Sequence, residues 1–459
     1  MDVEILSRIQ FAFTVAFHYL YPPLSIGLGW IMVVAEGLYL KTKDPVYGRI
    51  SLFFVRLFAI IFGLGVATGI VMEFEFGTNW ATYSRFVGDI FGSALAAEGI
   101  FAFALESGFL GILLFGWNRV SPRVHFISTF MVALGSTFSA IWIVVANSWM
   151  HTPAGYHLVT EQGRTRAEIT DFWAMVFNPS SMDRLVHVLL GAILAGAFLV
   201  ISVAAWYRLK GVHREASRKM MGLGLSFAAV AILAQWLSGH RSAELVAEYQ
   251  PAKLAAMEGH FETGPADLYA VGWVDAERQK VYGLGLPGGL SFLLHWNFDG
   301  HVAGLNAFAP EDQPRAVNAI FQFYHAMVGS AGLMTVLAFV GLWAHFKGKW
   351  DDAPWWNRIL VFSVFLPQIA NQAGWFAAEM GRQPWVVYGL LRTKDALSPT
   401  VGAAEVLFSL ILFTLVYLLL FGLFIYLLNK KIKKGPADEG HLIDHRPKQA
   451  SWAPKNPQS

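Results

Sequence analysis

The stretch Gly374, Trp375, Phe376, Ala377, Ala378, Glu379, Met380, Gly381, Arg382, Gln383, Pro384, Trp385 closes a long apolar run with an acid, a base and two tryptophans. On a helix, Trp375, Glu379 and Arg382 stand at i, i+4 and i+7, so they share one face at the edge of the hydrocarbon. Ionisable groups are costly in a membrane span and mark a functional site by default.

The composition around this segment sets the class. Charged residues are 14% of the chain and apolar residues 55%, with 37 Phe and 17 Trp, against about a quarter charged in soluble domains. This predicts an all-α polytopic membrane protein. Apolar windows of roughly 20 residues give about nine spans, near residues 9–38, 52–74, 94–117, 125–147, 185–207, 219–238, 318–345, 356–379 and 402–428. The expected arrangement is two four-helix bundles plus one peripheral helix. Residues 1–237 hold spans one to six, 238–317 an external loop, 318–430 spans seven to nine, and 431–459 a cytoplasmic tail expected to be disordered. Met1 to Gln10 shows neither a basic leader nor a small-residue cleavage site, so the first span is expected to remain in the mature chain.

Basic residues set the expected orientation. Lys41, Lys43 and Arg49, then Arg208, Lys210, Arg214, Arg218 and Lys219, and finally Lys430, Lys431, Lys433 and Lys434 belong on the inner side. The amino terminus is then outside and the carboxyl terminus inside. These clusters sit beside span ends and form no block suited to nucleic acid. Cysteine is absent, which excludes disulfides, thiolate-ligated metal clusters and covalent c-type haem attachment. A redox cofactor must rest on His, Met or carboxylate.

The unusual residues converge by depth. His18, Glu98, His187, Met327 and Glu379 all fall toward the outer side although they are distant in sequence. His18 precedes Pro22 at i+4, so its carbonyl loses a helical partner and the span should bend there; a kinked helix with a buried histidine is the plain alternative. His187 stands above Gly191 and Ala195, leaving a groove for a flat macrocycle or simply for close helix packing. Met327 alone reads as core filler, but paired with an imidazole it makes an axial set for electron-transfer haem. Glu98 and Glu106, eight residues apart, suggest a proton route or a structural pair. Glu73, Glu75, Asn147 and Trp149 read as interface anchors, and Lys253 and Glu258 as part of an exposed loop helix.

Taken together, the chain resembles subunit I of the bacterial cytochrome bd quinol oxidases, from Ser7 to about Leu428. The matching runs are Ser7 to Ala12, Gly65 to Gly69, Glu73 to Trp80, Gly88 to Gly92, Glu98 with Glu106, Val132 to Ser136, and the segment ending Gly381, Arg382, Gln383, Pro384, Trp385. The resemblance implies three non-covalent haems. His187 and Met327 match the axial ligands of a low-spin haem b. His18, Glu379 and Glu98 match residues around a high-spin haem b and a haem d, or a third haem b in its place. Trp375 and Arg382 match positions near the high-spin pair, Glu106 an acid on the proton path, and Arg8 falls among the cofactor-binding positions. Lys253 and Glu258 match residues of the external quinol-binding loop, which reverses their plain reading. The resemblance also implies a second, similar-sized membrane subunit, and often a further, very small single-span one, with quinol and O2 as substrates, in the bacterial cytoplasmic membrane.

Two departures stand out. Many members carry arginine two residues before the axial methionine, where this chain has His325, and the external loop is of the shorter type. The expected function is a terminal oxidase that oxidises quinol outside and reduces O2 to water with cytoplasmic protons, building a proton gradient without pumping. The rivals are a family relative without quinol oxidation, used for electron transfer or gas binding, and a transporter with intramembrane acids. A haem–copper oxidase is a poor alternative, since its copper centre needs closely placed histidines including an adjacent pair, and no His-His pair occurs here.

Overall fold

The computed structural model describes residues 2–436. Among these, nine helical stretches are long and apolar enough to cross a membrane: Val3–Thr42, Pro45–Thr78, Gly88–Phe115, Pro122–His151, Ser181–Lys210, Arg214–Tyr249, Val317–Phe346, Pro354–Arg382 and Ala403–Lys434. Of the expected tail, residues 437–459 lie outside the described residues, and Lys431 to Lys434 instead complete the last helix.

The helices in chain order are α1 (Val3–His18), α2 (Pro22–Thr42), α3 (Pro45–Thr78), α4 (Ala81–Phe86), α5 (Gly88–Ala97), a π-helical turn (Glu98–Phe103), α6 (Ala104–Phe115), α7 (Pro122–His151), α8 (Phe172–Val176), α9 (Ser181–Lys210), α10 (Arg214–Tyr249), α11 (Pro251–Glu258), α12 (Gly289–His295), α13 (Val317–Phe346), α14 (Pro354–Phe362), α15 (Phe365–Arg382) and α16 (Ala403–Lys434). The helices overrun the apolar windows because polar caps extend them. Asp44 accepts from Val46 N–H at 2.9 Å and Ser121 from Val124 N–H at 3.4 Å, each followed by proline in the first turn. The overrun is largest in α10, which continues to Tyr249, past residue 238 where the loop is expected to begin.

Two spans are broken, and both breaks have one cause. His18 and Ser363 each have a proline four residues on, Pro22 and Pro367. Their carbonyls accept instead from i+3, Tyr21 N–H at 3.1 Å and Leu366 N–H at 3.1 Å, a tighter turn that redirects the chain. The first span is thereby α1 plus α2, and the eighth α14 plus α15.

Helices α2, α3, α6 and α7 neighbour one another in a closed ring, and α9, α10, α13 and α15 make a second. The rings meet where α2 crosses α9. There a Cβ on Gly27 would lie 2.1 Å from the Ala192 carbonyl oxygen, and one on Gly196 would lie 2.4 Å from the Gly27 carbonyl carbon, so only glycine permits the approach. Helices α1 and α16 pack on α3.

Strands are confined to the connections. Strands β1 (Tyr156–Glu161) and β2 (Arg164–Ile169) form a hairpin between α7 and α8. Between α11 and α13, β3 (Gly264–Pro265) pairs with β6 (His301–Val302), and β4 (Leu268–Asp275) with β5 (Lys280–Leu286). Strands β7 (Trp385–Val387) and β8 (Leu391–Arg392) follow α15. These short pairs satisfy backbone groups in connections that carry no apolar periodicity, and the fold remains all-α in class.

Candidate functional site

Helix α15 carries a polar stripe through an apolar bundle. Gln372 donates to the Ala16 carbonyl at 2.7 Å, just before His18, and Asn371 faces the Gly191 carbonyl at 3.5 Å, one turn beyond His187. Trp375 lies edge-on to Tyr19 with centroids 5.5 Å apart, while the Arg184 guanidinium sits 5.6 Å from its ring centre. The indole therefore stands between the residue after His18 and the helix of His187.

Glu379, one turn on, is held by three donors. Its Oε1 accepts from His151 Nε2 at 3.0 Å and Asn147 Nδ2 at 3.0 Å, and its Oε2 pairs with Arg382. Asn147 also bonds Arg184. Lys253 comes in from α11, with Nζ 2.8 Å from His151 Nδ1 and bonded to Gln250; a Cβ on Gly381 would lie 2.7 Å from Lys253 Cγ. Three basic side chains, Arg184, Lys253 and Arg382, thus surround one carboxylate. Burial, with the Arg184 charge second, holds the Lys253 ammonium well below its ordinary range.

His18 and His187 are both held by polar side chains. Thr68 Oγ1 lies 2.8 Å from the Leu64 carbonyl and spends its single proton there, so it accepts from His18 Nδ1 at 3.0 Å. Gly69 leaves room for that ring, since a Cβ there would lie 3.2 Å from His18 Cε1. His18 therefore carries Nδ1–H and keeps its Nε2 lone pair, the form in which imidazole binds iron. At His187, Gln235 Nε2 stands 3.0 Å from Nε2 and 3.2 Å from Nδ1, and Ser238 Oγ 3.3 Å from Nδ1, so polar groups meet both ring nitrogens. Met327 Sδ reaches α15 because Gly374 has no side chain; a Cβ there would lie 2.8 Å from the sulfur.

These residues fit haem by a further test. Arg184 Nε and Arg382 Nε and Nη1 are buried without a hydrogen-bond partner. Buried guanidinium donors left unsatisfied are rare, and porphyrin propionates are the anions they would pair with.

The acids of the third span both turn toward α7. Ser139 donates to Glu98 at 2.5 Å, and Ser136 donates to Glu106. Eight residues of pure α-helix would leave the two acids some 80° apart; the π-turn starting at Glu98 resets the phase so that serines one turn apart on α7 reach both.

Several expected residues lie elsewhere. Glu258 is five residues from Lys253 but away from the Glu379 group, beside Tyr324, with both carboxyl oxygens buried and outside hydrogen-bond geometry. Burial pushes its carboxyl up to about 8. Arg8, expected among the cofactor-binding positions, is partly exposed and paired with Glu4 at 3.7 Å, apart from the cluster. Glu75 is no interface anchor, because it is buried and accepts from Thr14 at 2.7 Å. Asn147 is likewise part of the Glu379 group. The sequence reading missed Arg184, His151 and Gln250; Arg184, a cation three residues before His187 in an apolar span, carried a signal of its own.

The comparisons agree with this architecture. The family model described as "Cytochrome bd terminal oxidase subunit I" matches residues 6–436. The chain is 38% identical to "Cytochrome bd ubiquinol oxidase subunit 1" of Bacillus subtilis (strain 168), covering 96% of each chain. It is 34% identical to "Cytochrome bd-II ubiquinol oxidase subunit 1" of Escherichia coli (strain K12), over 95% of this chain and 97% of that one. Among solved structures it is similar to the bd oxidase from Geobacillus thermodenitrificans, with a TM-score of 0.88 and 32% identity over 94% of this chain and 99% of the other. The chain belongs to the cytochrome bd terminal oxidase subunit I family, and is thus a multi-pass, haem-bearing membrane subunit of a quinol-oxidase-type terminal respiratory oxidase that works with a second subunit.

Proposed function

We propose that this subunit oxidises membrane quinol at the outer face and reduces O2 to water with protons drawn from the cytoplasmic side, so that charge separates without a pump. The supporting observation is the group of Arg184, Arg382, Lys253 and Glu379, whose unpaired guanidinium donors are buried on the helices that carry His187 and Glu379. His187 and Met327 would hold a low-spin haem b. His18, Glu379 and Glu98 would surround a high-spin haem b and a haem d, or a third haem b in its place, in the bacterial cytoplasmic membrane. Bound haem supplies one-electron transfer from quinol and the reduction of O2.

The chain's own residues divide the remaining work. Glu258, buried at the end of α11 and titrating near 8, accepts a quinol proton, while Lys253 orients the quinol-side helix against His151 and Gln250. Trp375 and Arg382 fix the high-spin region by packing and charge. Ser136 with Glu106 and Ser139 with Glu98 form successive proton-holding stations, their serines about 4.5 Å apart along α7. A proton taken at the inner side reaches Glu106 first and Glu98 second.

Purified with its partner subunit, the protein should consume O2 with reduced quinol and show haem bands in the reduced-minus-oxidised spectrum. His187→Ala should abolish the low-spin band and leave the high-spin signals. Intact haem spectra without quinol-driven O2 consumption would select the electron-transfer or gas-binding reading; survival of the low-spin band in the variant would remove His187 from the ligand set.

A further inference from the structure

Helix α13 grips the edge of the external hairpin through three side chains on one face. Asn318 Oδ1 accepts from Val274 N–H at 3.0 Å, Gln322 Nε2 donates to the Gly272 carbonyl at 2.7 Å, and His325 Nε2 lies 2.9 Å from the Tyr269 carbonyl. These residues stand at i, i+4 and i+7, the spacing that aligns side chains along a helix. The four-residue step from Asn318 to Gln322, about 6 Å, matches the two-residue strand step from Val274 to Gly272, about 6.7 Å.

The third contact needs an irregularity in the strand. Residues 270, 272 and 274 share an edge in a regular strand, which would turn the Tyr269 carbonyl away. The register shift between Tyr269 and Val271 re-aims it toward His325. Below the contact, Phe321 stacks on the His325 ring with centroids 3.8 Å apart, and its carbonyl lies 2.8 Å from His325 Nδ1, so the ring bridges a carbonyl of its own helix and one of the strand. Gly272 lets the strand lie against that helix, as a Cβ there would come within 3.3 Å of Phe321 Cζ.

The hairpin also covers the end of α11. A Cβ on Gly259, next to Glu258, would lie 2.6 Å from Val281 Cγ2 and 3.0 Å from Val274 Cγ2. The strand pair that α13 grips is thus the wall over Glu258. His325 in turn is two residues before Met327 and within a turn of Tyr324, the phenol beside Glu258.

We propose that Asn318, Gln322 and His325 are positioning residues, a docking rail that seats the β4–β5 hairpin over Glu258 and fixes the quinol site to the helix bearing Met327. This deepens the quinol-oxidase reading and rests on it. The position two residues before Met327 thus serves as a mechanical tie to the external strand.

The test uses the assembled oxidase with its partner subunit. Compared with wild type, the Gln322→Ala/His325→Ala variant should be cut by trypsin after the exposed Arg278 and Lys280 about tenfold faster, as expected for two lost hydrogen bonds. Its KM for quinol should rise by a larger factor than its kcat falls. Gln322→Ala/His325→Gln, which keeps a donor for the Tyr269 carbonyl, should move both readouts back toward wild type. Retained haem absorbance marks the variants as folded. Wild-type cleavage and wild-type KM in the double alanine variant would overturn the proposal, as would Gln322→Ala/His325→Gln behaving like the double alanine variant. Proteolysis reads the rail without quinol, so a wild-type oxidase that ignores quinol would defeat the functional reading while leaving the cleavage result to judge the rail.

Discussion

Glu258 keeps its proton further up the pH scale than an exposed glutamate because its carboxyl is buried without a cation beside it. If the ionised form accepts the quinol proton, turnover at limiting quinol should climb as pH rises through about 8, and Glu258→Gln should flatten that profile in an oxygen-electrode assay. Stability runs the other way. The folded carboxyl titrates near 8 and the unfolded one near 4.5, so its contribution is full below 4.5 and is lost as pH rises to 8. The variant's melting temperature should fall less than wild type's across that window. At Arg184, replacement by leucine keeps the bulk and removes the donors; haem content per protein should drop, measured by extraction. The acids and histidines were legible in the sequence because an ionisable group in an apolar run announces itself. The grouping of Arg184, His151 and Lys253 around Glu379 was not, since it depends on four helices and a loop meeting at one end.

Among the elements, the crossing of α2 and α9 is the most constrained, with backbone against backbone at Gly27 and Gly196. Gly196→Ala should separate the two helix rings and cost about 3 kcal/mol, read as a lower melting temperature in detergent, whereas alanine at Gly63, which faces open space, should be nearly silent apart from helix propensity. The bend after His18 was legible because proline at i+4 removes a specific donor. The break at Ser363 obeys the same rule through Pro367, yet the apolar run across it gave one unbroken window. The hairpins and the π-turn at Glu98 were hidden for another reason: neither changes the hydropathy average, and both are set by what packs against them.

Across the whole molecule, the absence of cysteine offers a clean test of orientation. Single cysteines at Thr160 in β1 and at Lys349 beyond α13, both exposed, should react with a membrane-impermeant maleimide from opposite sides, Thr160→Cys from outside and Lys349→Cys from inside. Labelling of both from one side would invert or break the proposed topology, and with it the direction of proton uptake. The number of spans followed from composition alone because the bilayer fixes how much apolar chain each crossing requires. The two proline-made breaks carry a consequence for how such a chain can change over time. His18 and Glu379 ride on α1 and α15, segments severed from α2 and α14 by a single missing donor each. A substitution that re-seats α14, whose Trp355, Ile359 and Phe362 are exposed, is absorbed at the joint, so that half is free to drift while the surroundings of Glu379 are inherited intact.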